Sequence, residues 1–167
     1  MTETINVAPI HAGLTAAVRD LMGLGEPYIR VRGESDYWLY ATLFSTTCPV
    51  ATVDGVSVGA VIAFRSQDDP TLVYVQDVMV HPEHRNAGVA TAMISHLQGT
   101  ATALGCRQIW LTSEAGNEPA HRTWTKLGFT NNTGDFEEDG LLITRDLKGP
   151  GKHRAVYRKL LSQANGY

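Results

Sequence analysis

The residues with the clearest chemical potential lie where a buried strand meets a long helix. The segment from Asp77 to Thr91 leaves an apolar run, passes through Arg85 and Gly88, and enters a helical repeat of apolar residues. The first N–H groups of a helix lack partners within the helix and carry the positive end of its dipole, so this junction could hold a pyrophosphate. Gly88 leaves room for such an anion, and Arg85 adds a positive charge. An ordinary strand-to-helix turn is the alternative interpretation.

Other anion-binding motifs and metal sites do not fit this sequence. The segment has neither the three glycines of a dinucleotide fingerprint nor the Gly-Lys-Ser/Thr of a P-loop. The six histidines are scattered without a His-x-x-x-His pair, so no metal is expected. Cys48 and Cys106 have neither metal-ligand spacing nor a disulfide framework, which favours free thiols in a reducing compartment.

Hydrophobic periodicity predicts the elements that would position this junction. In the first half of the chain, Ser35 or Asp36 would cap a helix whose apolar face carries Trp38, Leu39, Leu43 and Phe44. Asp54-Gly55 between two β-branched runs predicts a tight hairpin. The predicted strands cover residues 4–10, 49–53, 56–64, 72–80, 108–112, 141–144 and 155–161. The predicted helices cover residues 11–22, the segment after 35, 88–104 and 118–127.

The order β-α-α-β-β-β-α-β-α-β-β predicts a mixed α/β fold with a central, mostly antiparallel sheet flanked by helices. The 167 residues, of which 43% are hydrophobic and 19% charged, suffice for one buried core, so one domain over 1–167 is expected. No run is long and apolar enough to span a bilayer and no secretory signal opens the chain, so we expect a cytoplasmic protein without a membrane partner. A net charge of -3 argues against nucleic acid and is compatible with a cationic substrate.

Two separated motifs resemble the GNAT superfamily of N-acetyltransferases. The family's signature Arg/Gln-x-x-Gly-x-Gly/Ala, after a strand ending in Val-x-Pro, is matched by Val80-His81-Pro82 and by Arg85 to Ala90. A second family segment is similar to Asn117-Glu118-Pro119-Ala120 and to Trp124 through Phe129. The motif resemblance covers roughly residues 72–129, and the order of elements extends it more loosely to the whole chain.

The resemblance implies that acetyl-CoA, or a related acyl-CoA, is the co-substrate. We expect the acceptor to be a primary amine of a small molecule, such as an antibiotic, a polyamine or an amino-acid-like compound. The resemblance places the pantetheine arm along the backbone of the strand that ends at Val80 and the pyrophosphate in the turn that follows. The implied cofactor contacts are Val78, Met79, Val80, Arg85, Asn86, Ala87, Gly88, Val89, Ala90, Thr91, Asn117, His121 and Trp124. A homodimer is also expected by family analogy.

Acyl transfer requires a neutral amine, whereas a free alkyl ammonium has a pKa near 10.4, so a base or a water chain must remove a proton. Asp77 is the leading candidate for this base and Glu114 the second; a carboxylate that caps backbone groups or pairs with a cation is the alternative. Trp124 stands where the family often has a tyrosine that protonates the departing thiolate, and an indole cannot serve as that acid. His121, three residues earlier, could approach the sulfur or be a structurally satisfied histidine.

Substrate recognition in this family usually comes from the segment between the first two helices and from the C-terminal strands. This chain offers Glu26, Tyr28 and Trp38 in the first of these regions, although the two aromatic residues could equally serve packing. The acidic run 137–139 would suit a polyamine or an amino sugar, or would be a solvated turn. A protein lysine or N-terminal acetyltransferase and a non-catalytic acyl-CoA-binding domain remain alternative functions.

Overall fold

A computed structural model describes residues 3–162, which form an eight-stranded sheet with α-helices on both of its faces. The strands are β1 (Asn6–Pro9), β2 (Pro49–Val53), β3 (Val56–Arg65), β4 (Leu72–Val80), β5 (Gln108–Ser113), β6 (Phe136–Glu138), β7 (Leu141–Thr144) and β8 (Arg154–Leu160). The α-helices are α1 (Thr15–Gly23), α2 (Glu34–Leu43), α3 (Val89–Ala103) and α4 (Glu118–Lys126).

The strand order is β1-β2-β3-β4-β5-β8-β7-β6, and its only parallel pair within residues 3–162 is β4 with β5. Helix α3 makes the crossover between these two strands, because parallel neighbours cannot be joined by a tight turn. The predicted fold class is therefore confirmed. The short strand β6 was not predicted, because its sequence Phe-Glu-Glu is mostly polar.

Strand β4 begins and ends where its apolar run predicts, at residues 72 and 80. The predicted hairpin is also present, with Asp54 and Gly55 at φ 49° and 79° between β2 and β3. Both central residues of a tight hairpin turn need positive φ, which is why Asp-Gly is a strong signal at this position.

The apolar face predicted for α2 is wrong at Trp38 and Leu43, whereas Phe44 packs against the core as predicted. Trp38 and Leu43 are 59% and 67% exposed, whereas Tyr37 and Tyr40 are buried. The cap also differs: Gly33 precedes the helix, and its N–H donates to the Asp36 carboxylate at 3.0 Å. The helix carries apolar residues of its own on all sides, so tertiary packing rather than periodicity decides which of them are buried.

The core consists of two clusters, one on each face of the sheet. On the face covered by α3 and α4, called here the α3 face, helix residues pack against Val61, Val75 and Ile109. On the opposite face, called the α1 face, α1 and α2 pack against Ala60, Ile62 and Met79. No helix in the described part of the chain is long and apolar enough to cross a membrane.

Candidate active site

Strands β4 and β5 separate halfway along β4 and leave an opening in the sheet. Their pairing runs from Leu72 opposite Gln108 to Val75 opposite Leu111, and it stops there. Beyond that point β4 continues to Val80 while paired with β3 alone. The backbone of residues 76–80 therefore presents one unpaired edge to the opening, which is the edge that an extended ligand could pair with as an added strand.

A β-bulge at Gln76 sets the direction of Asp77. Ile62 on β3 pairs with Asp77 and the next residue, Ala63, pairs with Val75, so Gln76 is the extra residue. Val75 packs in the cluster on the α3 face, and regular alternation would send Asp77 to that face too. The bulge instead places Asp77 on the α1 face, next to Met79 of that cluster. Bulges commonly re-aim a side chain in this way beside active sites.

The Asp77 carboxyl lies among tyrosines and cations. Burial raises its pKa above the ordinary 3.8, and the positive charges of Arg32 and Lys148 oppose that rise. The Asp77 charge in turn helps to raise the pKa of Tyr37 and Tyr40, after the larger effect of their own burial. A carboxyl with a raised pKa can take up a proton at neutral pH more readily than an exposed one.

The turn before α3 has the geometry that an anion site at a helix N-terminus requires. Asn86 and Gly88 have φ of 61° and 85°, and Gly88 forms the N-cap without a side chain to bond the first N–H groups. A Cβ added at Gly88 would meet no atom within 4 Å, so open space lies in front of this turn. The residues present therefore fit a pyrophosphate, since backbone donors and room for the anion coincide.

The loop between β5 and α4 borders the other side of the opening and is held from two directions. Asn117 uses its side chain to cap its own helix, accepting from the Ala120 N–H at 3.3 Å. The Tyr28 hydroxyl, from the segment between α1 and α2, donates to the Gly116 carbonyl at 3.3 Å. The Glu114 carboxylate lies 3.6 Å from the Arg154 guanidinium.

Trp124 and His121 point into the core and have protein partners. The Trp124 indole N–H donates to the Ser113 hydroxyl at 3.0 Å. His121 Nε2 lies 3.0 Å from the carbonyl oxygens of both Glu114 and Ala115, which only accept, so Nε2 carries the proton. Nδ1 then accepts from the Tyr157 hydroxyl at 2.8 Å.

The structure thus brings Asp77 and the β4 backbone to the opening, with the 85–91 turn at the start of α3. Glu26 and Trp38 are exposed on the segment between α1 and α2 and on α2, and their predicted contact with substrate stays a prediction. The contact of His121 and Trp124 with a cofactor also stays a prediction. Sequence inspection missed four residues, because each joins its partners only through long-range packing: Arg32, Ser113, Lys148 and Tyr157.

Comparison with known proteins identifies the family. The model of the acetyltransferase (GNAT) family matches residues 17–129, which is more than half of the chain. The chain belongs to the GNAT family. The family predicted from the two sequence motifs is therefore confirmed, and the match includes both motifs.

Among curated relatives, two L-2,4-diaminobutyric acid acetyltransferases match parts of this GNAT chain. The protein from Vibrio cholerae is 29% identical over 90 residues, which cover 54% of this chain and 52% of the relative. The protein from Nocardia farcinica is 41% identical over 61 residues, covering 36% of this chain and 32% of the relative. The chain therefore spans about half the length of the first relative, and less of the second.

Solved structures of GNAT proteins share the fold. A diaminobutyrate acetyltransferase from Paenibacillus lautus, in complex with L-2,4-diaminobutyric acid and coenzyme A, has a TM-score of 0.74 at 22% identity over 99% of both chains. The Salmonella typhimurium protein yncA, solved with acetyl-CoA, has a TM-score of 0.73 at 17% identity, covering 97% of this chain and 96% of its own. The ribosomal-protein-S18-alanine N-acetyltransferase of Escherichia coli has a TM-score of 0.72 at 17% identity, covering 98% and 99%.

Proposed function

We propose that this protein transfers an acetyl group from acetyl-CoA to a primary amine of a small amino acid such as L-2,4-diaminobutyrate. The observation that carries the proposal is the opening between β4 and β5 in a GNAT chain, with Asp77 on the α1 face where β4 has left β5. The curated relatives that share up to 41% identity with parts of the chain support the acceptor class.

Acetyl-CoA would be held by two features of the backbone. The free edge of β4 at Val78, Met79 and Val80 would pair with the pantetheine arm, and the N–H groups of the turn at Gly88 would hold the pyrophosphate. When bound, acetyl-CoA supplies an activated acyl group in its thioester. The protein's part is to align the amine with that group and to remove its proton.

Asp77 would remove the proton from the acceptor ammonium. Its carboxylate lies at the point where β4 leaves β5, and burial raises its pKa toward the range in which a base can accept a proton. Glu114, the second candidate, already has the Arg154 guanidinium 3.6 Å from its carboxylate. Asp77 therefore suits the role of base better than Glu114.

The departing thiolate would be protonated without Trp124. The indole N–H is engaged with the Ser113 hydroxyl inside the core, and an indole has no proton to release at neutral pH. The proton that leaves the ammonium, or one from solvent, balances the thiolate that forms when the carbon–sulfur bond breaks. Loss of the family's tyrosine therefore leaves this proposal intact.

A small acceptor suits the site better than a polypeptide. Tyr28 links the α1–α2 segment to Gly116 across the end of the opening, and Lys148 reaches the ring of Tyr74 from the loop between β7 and β8. These contacts narrow the path that an extended peptide would need. Peptide acetylation and non-catalytic acyl-CoA binding are the competing functions, and the homodimer stays an expectation of the family.

The test is acetyl-CoA turnover by the purified protein, measured as release of free thiol with a panel of amines. We expect turnover with L-2,4-diaminobutyrate and little with a lysine-containing peptide. Thermal unfolding with acetyl-CoA, CoA and NAD would separate binding from turnover, since a ligand at 100 times its Kd stabilises by about 2.7 kcal/mol. A CoA-dependent shift without turnover of any amine would favour the binding domain, and no shift with either CoA species would refute the acetyltransferase.

A further inference from the structure

The loop between β7 and β8 carries a lysine past β8 and β5 to β4 in the candidate active site. The Lys148 Nζ lies 5.2 Å from the centroid of the Tyr74 ring, although Tyr74 is on β4 and the order of strands is β4-β5-β8-β7. Tyr74 pairs with Phe64 and Asp77 with Ile62, on either side of the bulge, so both residues share the α1 face. Lys148 therefore approaches Asp77 over the part of the sheet that leads into the opening.

The position of Lys148 is fixed by its own loop. The Asp146 carboxylate accepts from the Gly151 N–H at 2.7 Å, and the Asp146 N–H donates to the His153 ring at 2.9 Å. The Lys148 N–H donates to the Lys152 carbonyl at 3.3 Å. These internal bonds hold the backbone of the loop, so the Lys148 side chain starts from a fixed point.

The charges around Asp77 do not cancel. Arg32, from the α1–α2 segment, and Lys148 both act on Asp77, and within residues 3–162 neither forms an ion pair with any carboxylate. Arg158 adds a further cation over the Trp110 ring, 5.6 Å from its centroid. Glu114 and Arg154, farther along the same face, neutralise one another. The acidic run 137–139 lies at β6, on the edge of the sheet, with three strands between it and β4.

We propose that Lys148 binds the carboxylate of the acceptor while Asp77 binds the amine that is acetylated. This inference rests on the proposed function and adds that an anionic group is required of the acceptor. Asp77 with the two unpaired cations Arg32 and Lys148 has a net positive charge. This charge would repel a polyamine or an aminoglycoside, which carry only positive groups, and would attract an amino acid. The two charges of the acceptor would fix its direction, so that the terminal amine faces the opening.

The experiment compares two acceptors that differ by the carboxylate alone, L-2,4-diaminobutyrate and 1,3-diaminopropane. Rates are measured for the whole protein at saturating acetyl-CoA, for the wild type and for Lys148→Met, Lys148→Arg and Lys152→Met. Methionine keeps the length of the side chain and removes the charge. Lys152 is an exposed lysine of the same loop and serves as the matched control.

We expect the wild type to prefer the amino acid about 10-fold or more in kcat/KM, as for a hydrogen bond to a charged group. Lys148→Met should lower kcat/KM for L-2,4-diaminobutyrate about 10-fold or more, mainly through KM, and leave 1,3-diaminopropane within about twofold. Lys148→Arg should restore most of the loss, and Lys152→Met should match the wild type.

Equal losses for both acceptors in Lys148→Met, or no loss for either, would overturn the role of Lys148. A wild type that uses both acceptors equally well would also overturn it, while the acetyltransferase function would stand. A wild type that acetylates no amine of either kind would instead refute the proposed function itself.

Discussion

At the scale of single residues, Asp77 combines two properties that are seldom found together. It is a partly buried carboxyl whose pKa is raised by burial, and it lies beside two cations that only partly offset this effect. A buried carboxyl that is not neutralised by a close ion pair costs the fold stability, and such groups concentrate at functional sites. Its substitution should therefore separate activity from stability.

Replacing Asp77 by Asn should abolish the base and leave the binding of acetyl-CoA intact. General base catalysis contributes about 100-fold or more, so kcat should fall by at least about that factor. The shift in unfolding temperature caused by acetyl-CoA should match that of the wild type, because the turn at Gly88 is untouched. Glu114→Gln is the comparison, and a larger loss of kcat in that variant would transfer the role of base to Glu114.

The same Asp77→Asn variant should change how stability depends on pH. Because the folded pKa of Asp77 is raised above 3.8, its contribution to stability is fully present below that value and is lost as pH rises through the folded pKa. The amide avoids this loss, so the variant should gain stability relative to the wild type as pH rises above about 3.8. Urea unfolding at several pH values checks this, and a pH-independent difference would contradict it.

Three predicted site residues lie at or within α4, and the contacts of two of them depend on residues distant in the sequence. Asn117, His121 and Trp124 could be located because their motif is local. Their partners could not be predicted: Tyr157 is 36 residues from His121 in sequence and meets it only after β8 has paired with β5. Ser113 similarly comes to the Trp124 indole through packing of α4 on the sheet.

At the scale of elements, α3 has a glycine with positive φ at each end. Gly88 before the helix and Gly105 after it have φ of 85° and 82°, and an added Cβ at either position would meet nothing within 4 Å. Both positions therefore have a left-handed backbone conformation and open space around an added Cβ. They differ only in the end of the helix dipole that they adjoin.

Gly88→Ala and Gly105→Ala should cost similar stability and differ in the binding of acetyl-CoA. Left-handed backbone costs a residue with a Cβ roughly 1–2 kcal/mol, and this applies to both variants. Only Gly88→Ala places a methyl group in front of the N–H groups proposed to hold the pyrophosphate. Its Kd for acetyl-CoA should rise about tenfold or more, a loss of at least about 1.4 kcal/mol. Isothermal titration of both variants measures this, and equal affinities would contradict the proposed site.

Helices and strands were predictable from the sequence where the hydrophobic pattern of a segment agrees with its burial in the fold. Strand β4 has nine largely apolar residues between polar neighbours, and its bounds were predicted correctly. For α2 the apolar residues Tyr37, Trp38, Leu39 and Tyr40 follow one another, so the sequence has no single apolar stripe. The sheet selects Tyr37 and Tyr40 because they meet Phe64 and the Ile62 side of β3.

At the scale of the whole molecule, the residues proposed to bind acetyl-CoA and those proposed to bind the acceptor lie on different faces of the sheet. Helix α3 and its preceding turn lie on one face, whereas Asp77, Arg32 and Lys148 gather on the other. The opening between β4 and β5 connects them. The distance between α3 and the sheet consequently sets where the turn at Gly88 lies relative to the opening.

Gly59→Ala should displace α3 from the sheet. A Cβ at this position of β3 would lie 2.7 Å from Val89 Cγ1 and 2.9 Å from Met93 Cε. Overpacking of this kind costs about 1–3 kcal/mol, and the affinity for acetyl-CoA should fall with it because Val89 is the first residue of the helix. Gly99→Ala, at an exposed position of α3 with open space around it, should be neutral or slightly stabilising. Chemical unfolding of both variants tests the difference, and equal stabilities would contradict it.

The overall architecture was predictable from the order of elements. The residues that surround Asp77 on the α1 face were not. The fold class needs only the alternation of strands and helices. Lys148 reaches Tyr74 because β8 inserts between β5 and β7, and no local signal encodes that insertion. The sequence instead drew attention to the acidic run 137–139, which lies at the edge of the sheet.

Because of the bulge at Gln76, the number of residues in β4, and not only their types, determines which face of the sheet each side chain lies on. If Gln76 were paired with a β3 residue of its own, strict alternation through all of β4 would bury the Asp77 carboxylate under α3 and turn Val78 and Val80 toward α1. When this strand is aligned with a related strand that lacks the bulge, a single-residue gap opposite Gln76 is therefore needed, and an ungapped alignment exchanges catalytic and core positions. Chimeras of related chains should keep residues 72–80 as one uninterrupted block.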